Sequence, residues 1–360
     1  MDKAVLRIID ANANRASEAA RVLEDAARLG LGDAAVALRC KSLRHALRNA
    51  VGGIDSAELH ASRDTPGDVG TSMTGEMEGE RGSLAEVCIA AGKRLGEALR
   101  VLEETLKLLP GSEICAGRVK ALRYEGYELG KHVTLALARP RRQWRLCVIL
   151  SEVLCNLSWD EVARAAIRGG ADCLQLREKA MPGRQLLARA EALMGIASEN
   201  TGPSASRVDI IINDRPDIAS MVGAAGVHLG QDDVTVEAAR RVLGPRQIVG
   251  VSTACIADAR RALEDGADYV GLGPMYPSTT KRKAGLAGVE YLRDFRAWDR
   301  TRVEGVGGAA LPYLAISGID AMRAGQLASE GCAGVAVSSV VCSSTEPEKV
   351  CAAIVRAMGG

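Results

Sequence analysis

The sequence predicts a (β/α)8 barrel preceded by a separate, mostly α-helical domain. Two observations predict it. Eight short apolar runs, most of them separated by helical stretches, fall within the last ~215 residues, the span of a complete barrel. Residues 1–138 show no comparable strands; they are rich in Ala, Leu, Arg and Glu at helical spacing and repeat one pattern twice.

The repeat defines the first domain. RASEAARVLEDAARL (15–29) matches RLGEALRVLEETLKL (94–108) at a shift of 79, and the same shift maps KSLRH (41–45) onto KALRY (120–124). Two copies of a helix–loop–helix unit follow. Ala19, Val22, Leu23 and Ala26 line one face of the first helix. Ala98, Val101, Leu102 and Thr105 hold the equivalent places in the second copy, and these stripes are expected to pack against each other. Between the copies lies a polar, glycine-rich stretch, 62–83. A connection of that length inside a compact domain is usually functional or disordered. ARPRRQWR (138–145) reads as a linker, with Pro140 ending the preceding helix. The expected boundaries are a helical domain at 1–138, a linker at 139–145 and a barrel at 146–360.

The barrel strands are expected at 147–150, 173–176, 209–213, 226–229, 247–252, 269–273, 313–318 and 334–339. Helices are expected around 159–168, 183–196, 235–243, 255–265, 320–329 and 346–358. Each strand begins as a short apolar run and several break into polar residues at their ends, the pattern of buried parallel strands with a functional C-terminal face.

Composition narrows the function. Lys+Arg 46 against Asp+Glu 45 leaves no bulk charge to attract nucleic acid or a membrane. Phe295 is the single Phe, so base stacking is poorly supported. No apolar run is long enough to span a bilayer, and the N-terminus lacks a signal peptide's apolar core, which points to the cytoplasm. None of the ten cysteines forms a CxxC pair, and most lie in apolar runs, as small buried hydrophobes do.

The strand ends carry the chemistry. Gln175, Arg177 and Lys179 suit a phosphate, and Asn213, Asp214 and Asp233 suit a hard cation such as Mg²⁺. Ser278, Thr279, Thr280 and Lys281 add donors. Together they describe a site for a pyrophosphate held on magnesium. The plainer readings are solvated rim charges for Arg177, Lys179 and Lys281, and a helix N-cap for Asp232. His228 is read as a packed, hydrogen-bonded histidine or as a residue shaping the pocket. GVGG (305–308) lacks the context of a dinucleotide loop and reads as a plain loop, and no Walker A sequence occurs.

These segments, QLREK, NDR, GVHLGQDD, GVS and GADYVGLGPMYPSTTK, resemble the thiamine phosphate synthase family in order and spacing across about 145–358. The resemblance implies a transferase that joins hydroxymethylpyrimidine pyrophosphate to hydroxyethylthiazole phosphate. It implies that Arg177, Lys179, Asn213 and Lys281 hold the pyrophosphate, that Asp214 and Asp233 carry Mg²⁺, and that Gln175 and Ser252 face the pyrimidine. Ser278, Thr280 and the amides of Gly318, Ser338 and Ser339 would take the thiazole phosphate. Two positions depart from the family pattern: Ser278 replaces the common Thr, and Ser317-Gly318 replaces Gly-Gly, placing a side chain beside the phosphate loop.

The N-terminal segments DANANRASEAARVLEDAARL (10–29) and RDTPGDVG (63–70) resemble a helical domain proposed as a monofunctional hydroxymethylpyrimidine phosphate kinase, which implies ATP as a substrate. Arg15, Glu18, Arg63, Asp64, Asp68 and Gly70 are the candidates for its site. Arg15, Glu18, Arg21 and Glu24 recur as Arg94, Glu97, Arg100 and Glu103, so a salt-bridge ladder and a substrate role both stand. Two rivals are carried: a thiazole tautomerase on the same barrel, and a non-catalytic assembly role for residues 1–138. The expected partners are small molecules; a homo-oligomer stays open.

Overall fold

The computed structural model describes residues 2–64, 67, 81–199, 207–278, 285–306 and 309–359. The chain divides into two compact units, residues 1–138 with 302–309, and residues 139–301 with 310–360.

The first unit is built on four long helices, α1 (Lys3–Asp25), α2 (Ala34–Val51), α4 (Leu84–Leu106) and α5 (Glu113–Ala138), with a short α3 (Ser56–Ala61). Asp2, Asp33 and Ser83 cap α1, α2 and α4 through their side chains. A π-helical turn, Ala26–Leu31, ends α1 at Gly32. α1 packs on α2 and α4, and α5 packs on α4 and α2, so exchanging the two sequence copies maps the arrangement onto itself. The buried stripe differs in detail from the one expected. Ala16, Ala19, Ala20 and Leu23 are buried in α1, and Leu95, Ala98, Leu99 and Leu102 in α4. Val22 is only half-buried, Val101 is exposed and Thr105 is half-buried. The contact face is rotated toward Ala16 and Ala20 in α1 and their equivalents Leu95 and Leu99 in α4.

Glu24 and Glu103 are also buried, each in the same place in its copy. Arg44 on α2 approaches Glu24 Oε2 to 2.6 Å, and Arg123 on α5 approaches Glu103 Oε2 to 3.0 Å. Arg44 and Arg123 are themselves related by the shift of 79. Arg21 and Arg100 add a second cation to each carboxylate. The repeated Glu therefore ties the two helices of its own copy together.

The second unit is a closed, all-parallel barrel with strands in chain order. The strands are β1 (Leu146–Leu150), β2 (Cys173–Leu176), β3 (Asp209–Asn213), β4 (Gly226–Leu229), β5 (Ile248–Thr253), β6 (Tyr269–Leu272), β7 (Tyr313–Ile316) and β8 (Val335–Val337). β8 returns to β1, with Leu146 opposite Val335. The crossover helices are α6 (Trp159–Arg168), α7 (Gly183–Ser198), α8 (Pro216–Val222), α9 (Val236–Val242), α10 (Ile256–Glu264), α11 (Gly288–Val306), α12 (Ala321–Ser329) and α14 (Pro347–Ala357), with a short α13 (Ser339–Cys342) after β8. All eight strands expected from the sequence are present; α8, α11 and α13 are additions. α11 runs through Gly305 and Val306, which the sequence reading placed in a loop; 307–308 lie outside the described residues.

Strand side chains alternate between two cores. Cys147, Cys173, Ile211, Ile248, Tyr269, Leu314 and Ala336 fill the barrel interior. Val148, Leu174, Ile210, Val227, Val249, Val270 and Val335 pack outward under the helices. Burial on both faces is why the strands read as continuous apolar runs. All ten cysteines are free thiols, and all but Cys115, Cys155 and Cys255 are buried. Among the described residues no helix is long and apolar enough to cross a membrane.

Residues 139–145 close the barrel's N-terminal mouth. The Trp144 ring meets Tyr269 edge-on at 5.0 Å, and its Nε1 donates to Asp209 Oδ2 at 2.9 Å. Arg142 reaches the same carboxylate at 3.2 Å, and Arg139 lies 3.3 Å from Asp268. Gln143 donates to the Tyr313 carbonyl and accepts from its amide, extending the edge of β7.

Candidate active site

One cavity of about 600 Å³ opens at the C-terminal ends of the strands. Its floor is the top of the interior core, Ile149, Tyr269, Leu314, Ile316 and Ala336. Its rim is polar and comes from the loops that follow six of the eight strands, with Ser252 added from within β5. The structure places Gln175, Arg177, Lys179, Asn213, Asp214, Asp233, Ser252, Ser278, Gly318, Ser338 and Ser339 on its lining. Thr280 and Lys281 lie outside the described residues.

Along one side run the β2 and β3 ends. Gln175 is buried in β2, and its amide has no protein partner among the described residues, so it is available to a ligand. Arg177 follows it on the same wall. Lys179 Nζ lies 3.4 Å from Asp214 Oδ2. Asp214 has φ 62°, a left-handed conformation that costs a non-glycine residue about 1 kcal/mol. Its amide donates to the His228 carbonyl at 2.9 Å, which helps to hold the turn.

Asp233 stands against Asp214 from the next loop. Its Oδ2 accepts the Gly230 amide at 2.6 Å. Burial, and next the facing Asp233 carboxyl, hold the Asp214 carboxyl above the usual range, against the pull of Lys179. Two oxygen ligands that repel each other in a pocket lined by phosphate-type donors fit a small divalent cation. No cluster of three or more His, Cys, Asp or Glu occurs among the described residues. A cation here would draw its remaining ligands from water and substrate, as Mg²⁺ commonly does. Asp232 also lines the cavity, and it is not the cap of α9: Thr235 accepts the Ala238 amide there.

The opposite side is a turn around Gly318. Ser317 and Gly318 have φ 85° and 65°. A Cβ at Gly318 would come within 2.4 Å of the Pro277 carbonyl oxygen, so glycine is required by both conformation and space. The Ser317 hydroxyl donates to the Tyr276 carbonyl at 2.9 Å, which ties the turn to the β6 loop. The Ser338 hydroxyl donates to the Ile149 carbonyl at 2.9 Å, and Ser338 and Ser339 both line the cavity.

Arg323 was not singled out from the sequence. It lines this side, donates from Nη1 to the Gly318 carbonyl at 2.5 Å, and stacks 4.8 Å over the Tyr276 ring. Asp320 caps α12 through the Arg323 amide. The signal was present in SGIDAMRAG: an N-cap Asp fixes the helix start, and the Arg three residues on then points back at the loop. His228 fulfils both of its readings, being packed and also lining the cavity.

In the helical unit, Arg63 donates to both oxygens of Asp10 at 2.6 and 2.9 Å. Arg7 donates to the Asp64 carbonyl at 3.0 Å. Both contacts pin the start of the long connection to α1. Arg15 and Glu18 lie exposed on α1, and the ladder forms at Arg21–Glu24 and Arg100–Glu103. Asp68 and Gly70 lie outside the described residues.

Residues 146–341 match the thiamine monophosphate synthase family, and residues 7–132 match the ThiD2 family. A thiamine-phosphate synthase of Rhodopirellula baltica is 37% identical over 345 residues, covering 94% of this chain and 88% of that protein. One of Nostoc punctiforme is 35% identical over 354 residues, covering 97% and 93%. Among solved structures, a thiamine phosphate pyrophosphorylase from Pyrococcus furiosus is 29% identical with a TM-score of 0.51, covering 60% of this chain and 95% of that one.

Proposed function

We infer the reaction from kinship: the chain belongs to the thiamine monophosphate synthase family, and its barrel joins hydroxymethylpyrimidine pyrophosphate to hydroxyethylthiazole phosphate. The methylene C–O bond breaks, pyrophosphate leaves with the electron pair, and the thiazole nitrogen lone pair forms the new C–N bond. The observation that carries this reading is the convergence of Gln175, Arg177, Lys179, Asn213, Asp214 and Asp233 on one side of a single cavity that has hydroxyls and a glycine turn on the other.

Such a displacement needs the leaving group's charge neutralised and the two reactants aligned. Arg177 and Lys179 bind the pyrophosphate and stabilise its growing charge. Asp214 and Asp233 hold Mg²⁺, which when bound neutralises phosphate oxygens. Gln175 and Ser252 orient the pyrimidine. Ser278 and the amides at Gly318, Ser338 and Ser339 hold the thiazole phosphate. Thr280 and Lys281 are assigned to the same groups on sequence grounds. A tautomerase would have no use for the paired carboxylates beside Lys179, which favours the transferase.

The helical domain is assigned the preceding step, transfer of phosphate from ATP to hydroxymethylpyrimidine phosphate, on its match to the ThiD2 family. Full-length protein given ATP, Mg²⁺, the pyrimidine monophosphate and the thiazole phosphate then yields thiamine phosphate. Product from the pyrimidine pyrophosphate alone would leave the helical domain as an assembly module. No product from either would refute the barrel assignment as well.

A further inference from the structure

Three adjacent strands give one ladder row to a single hydrogen-bonded chain. His228 on β4 stands opposite Gly250 on β5, and Gly250 stands opposite Tyr269 on β6. A Cβ on Gly250 would lie 2.0 Å from Tyr269 Cζ and 2.5 Å from its hydroxyl oxygen. Bare backbone at Gly250 thus lets the Tyr269 ring cross the intervening strand. Its hydroxyl reaches His228 Nδ1 at 3.0 Å, and His228 Nε2 reaches Ser252 Oγ at 2.9 Å. Ser252, two residues beyond Gly250 and on the same face of β5, lines the cavity.

The hydrogens along this chain can be counted. Tyr269 is buried, and burial keeps its hydroxyl protonated by pushing its pKa upward. That hydrogen needs an acceptor, because a buried hydroxyl left unpaired is costly. Among the described residues His228 Nδ1 is the partner the Tyr269 oxygen has. A ring protonated at Nδ1, or at both nitrogens, would meet the Tyr269 oxygen with a second donor and strand the phenolic hydrogen. Nδ1 is therefore bare, Nε2 carries the hydrogen, and Ser252 Oγ accepts it. The hydrogen on Ser252 is then left for the cavity.

We propose that Tyr269 sets the tautomer of His228 and so makes Ser252 a hydrogen-bond donor to the cavity, selecting a ligand that presents a lone pair there. Tyr269 and His228 are positioning residues. On the condensation reading above, the lone pair belongs to a ring nitrogen of the aminopyrimidine; the tautomer itself does not depend on that reading. The reverse tautomer would make Ser252 an acceptor and favour the exocyclic amine instead.

The test is ¹⁵N NMR of full-length protein labelled at histidine, of which the chain has four. The His228 signals are identified by their loss in His228→Gln. The expected spectrum is a neutral ring protonated at Nε2. A ring protonated at Nδ1, or doubly protonated, overturns the proposal. In folded Tyr269→Phe the tautomer shifts toward a mixture, and KM for the pyrimidine pyrophosphate rises roughly 3- to 10-fold with kcat little changed, the size of one neutral hydrogen bond. An unchanged tautomer in that variant refutes the role of Tyr269. Should Tyr269→Phe fail to fold, the unmodified protein's spectrum still decides. An Nε2-protonated ring in a protein that makes no thiamine phosphate would sustain the tautomer and refute only the substrate reading.

Discussion

Lys179 Nζ lies 3.4 Å from Asp214 Oδ2, across the gap between the β2 and β3 loops. The cation proposed for the leaving pyrophosphate and a carboxylate proposed for the metal are thus one electrostatic unit. Asp214 keeps this position in a left-handed backbone conformation, so stability is given up at this strand end.

Asp214→Ala and Asp233→Ala should each lower Mg²⁺-dependent condensation on the order of 100-fold or more while the barrel stays folded, because strand-end residues serve chemistry before packing. Asp214→Gly should be equally inactive yet more stable than Asp214→Ala by about 1 kcal/mol, since glycine accepts positive φ without strain. Near-normal turnover of either alanine variant at low magnesium would refute the metal assignment.

Arg323 fixes the carbonyl of Gly318 while stacked on Tyr276. Arg323→Ala should raise KM for the thiazole phosphate roughly 10- to 100-fold, the value of a charge-assisted hydrogen bond. Arg323→Lys should recover little, because lysine has neither the planar stack nor the fork. An effect confined to the pyrimidine substrate would place Arg323 in the wrong half of the site.

The repeated buried carboxylates define a stability experiment. Arg123→Ala leaves Glu103 buried and without its close partner and should cost about 3 kcal/mol, read from chemical denaturation. Arg15→Ala, at an exposed position, should stay within about 0.5 kcal/mol. Equal small effects would mean that the pair is no more than a surface ladder.

The barrel was legible because its strands are buried on both faces and so stand out as apolar runs, and because its polar strand ends are local in sequence. Tyr269 was not, because it acts across β5 on His228, a contact that only strand pairing creates, whereas Arg323 had a local signal and only its stack on Tyr276 depends on the β6 loop. Tyr269 reads as one more apolar strand residue until Gly250 is seen beside it. Trp144 was hidden differently, in a segment whose proline and arginines look like a linker yet whose side chains reach Asp209, Asp268 and Tyr313. In the helical domain, periodicity found the repeat and the buried Ala19, Leu23, Ala26, Ala98 and Leu102, but it also took in Val22, Val101 and Thr105 at the margin of the face, where apolarity alone does not separate a buried position from its neighbour.

Asp33 supplies a pH dependence. It caps α2, and its carboxyl is held below the usual range, first by the His132 hydrogen bond and, opposing burial, by the Val36 amide. A depressed folded-state pKa gives stability that is present above the unfolded value near 3.8 and is lost as pH falls through the lower folded value. Asp33→Asn keeps a capping oxygen and removes the titration. The gap in thermal midpoint between wild type and this variant should narrow as pH falls below that range; a gap independent of pH would remove the charge from the account.

The last prediction is where the chain can be cut. The residues proposed for condensation lie beyond 174, but the barrel's lower mouth is filled from 139–145. A fragment of residues 139–360 carries Trp144 with its bond to Asp209, Arg139 with its partner Asp268, and Gln143 on the edge of β7. It should therefore fold and condense the pyrimidine pyrophosphate with the thiazole phosphate without ATP. A fragment of residues 146–360 contains every strand but uncovers the face of Tyr269 and strands the Asp209 and Asp268 carboxylates with fewer partners. It should be several kcal/mol less stable, as expected when a buried aromatic and buried ion pairs are removed together. Residues 1–138, held by the paired repeats, should fold as a helical unit and be the part that consumes ATP. Equal stability of the two barrel fragments would reduce 139–145 to a tether, and phosphorylation of the monophosphate by residues 139–360 would overturn the assignment of activities to domains.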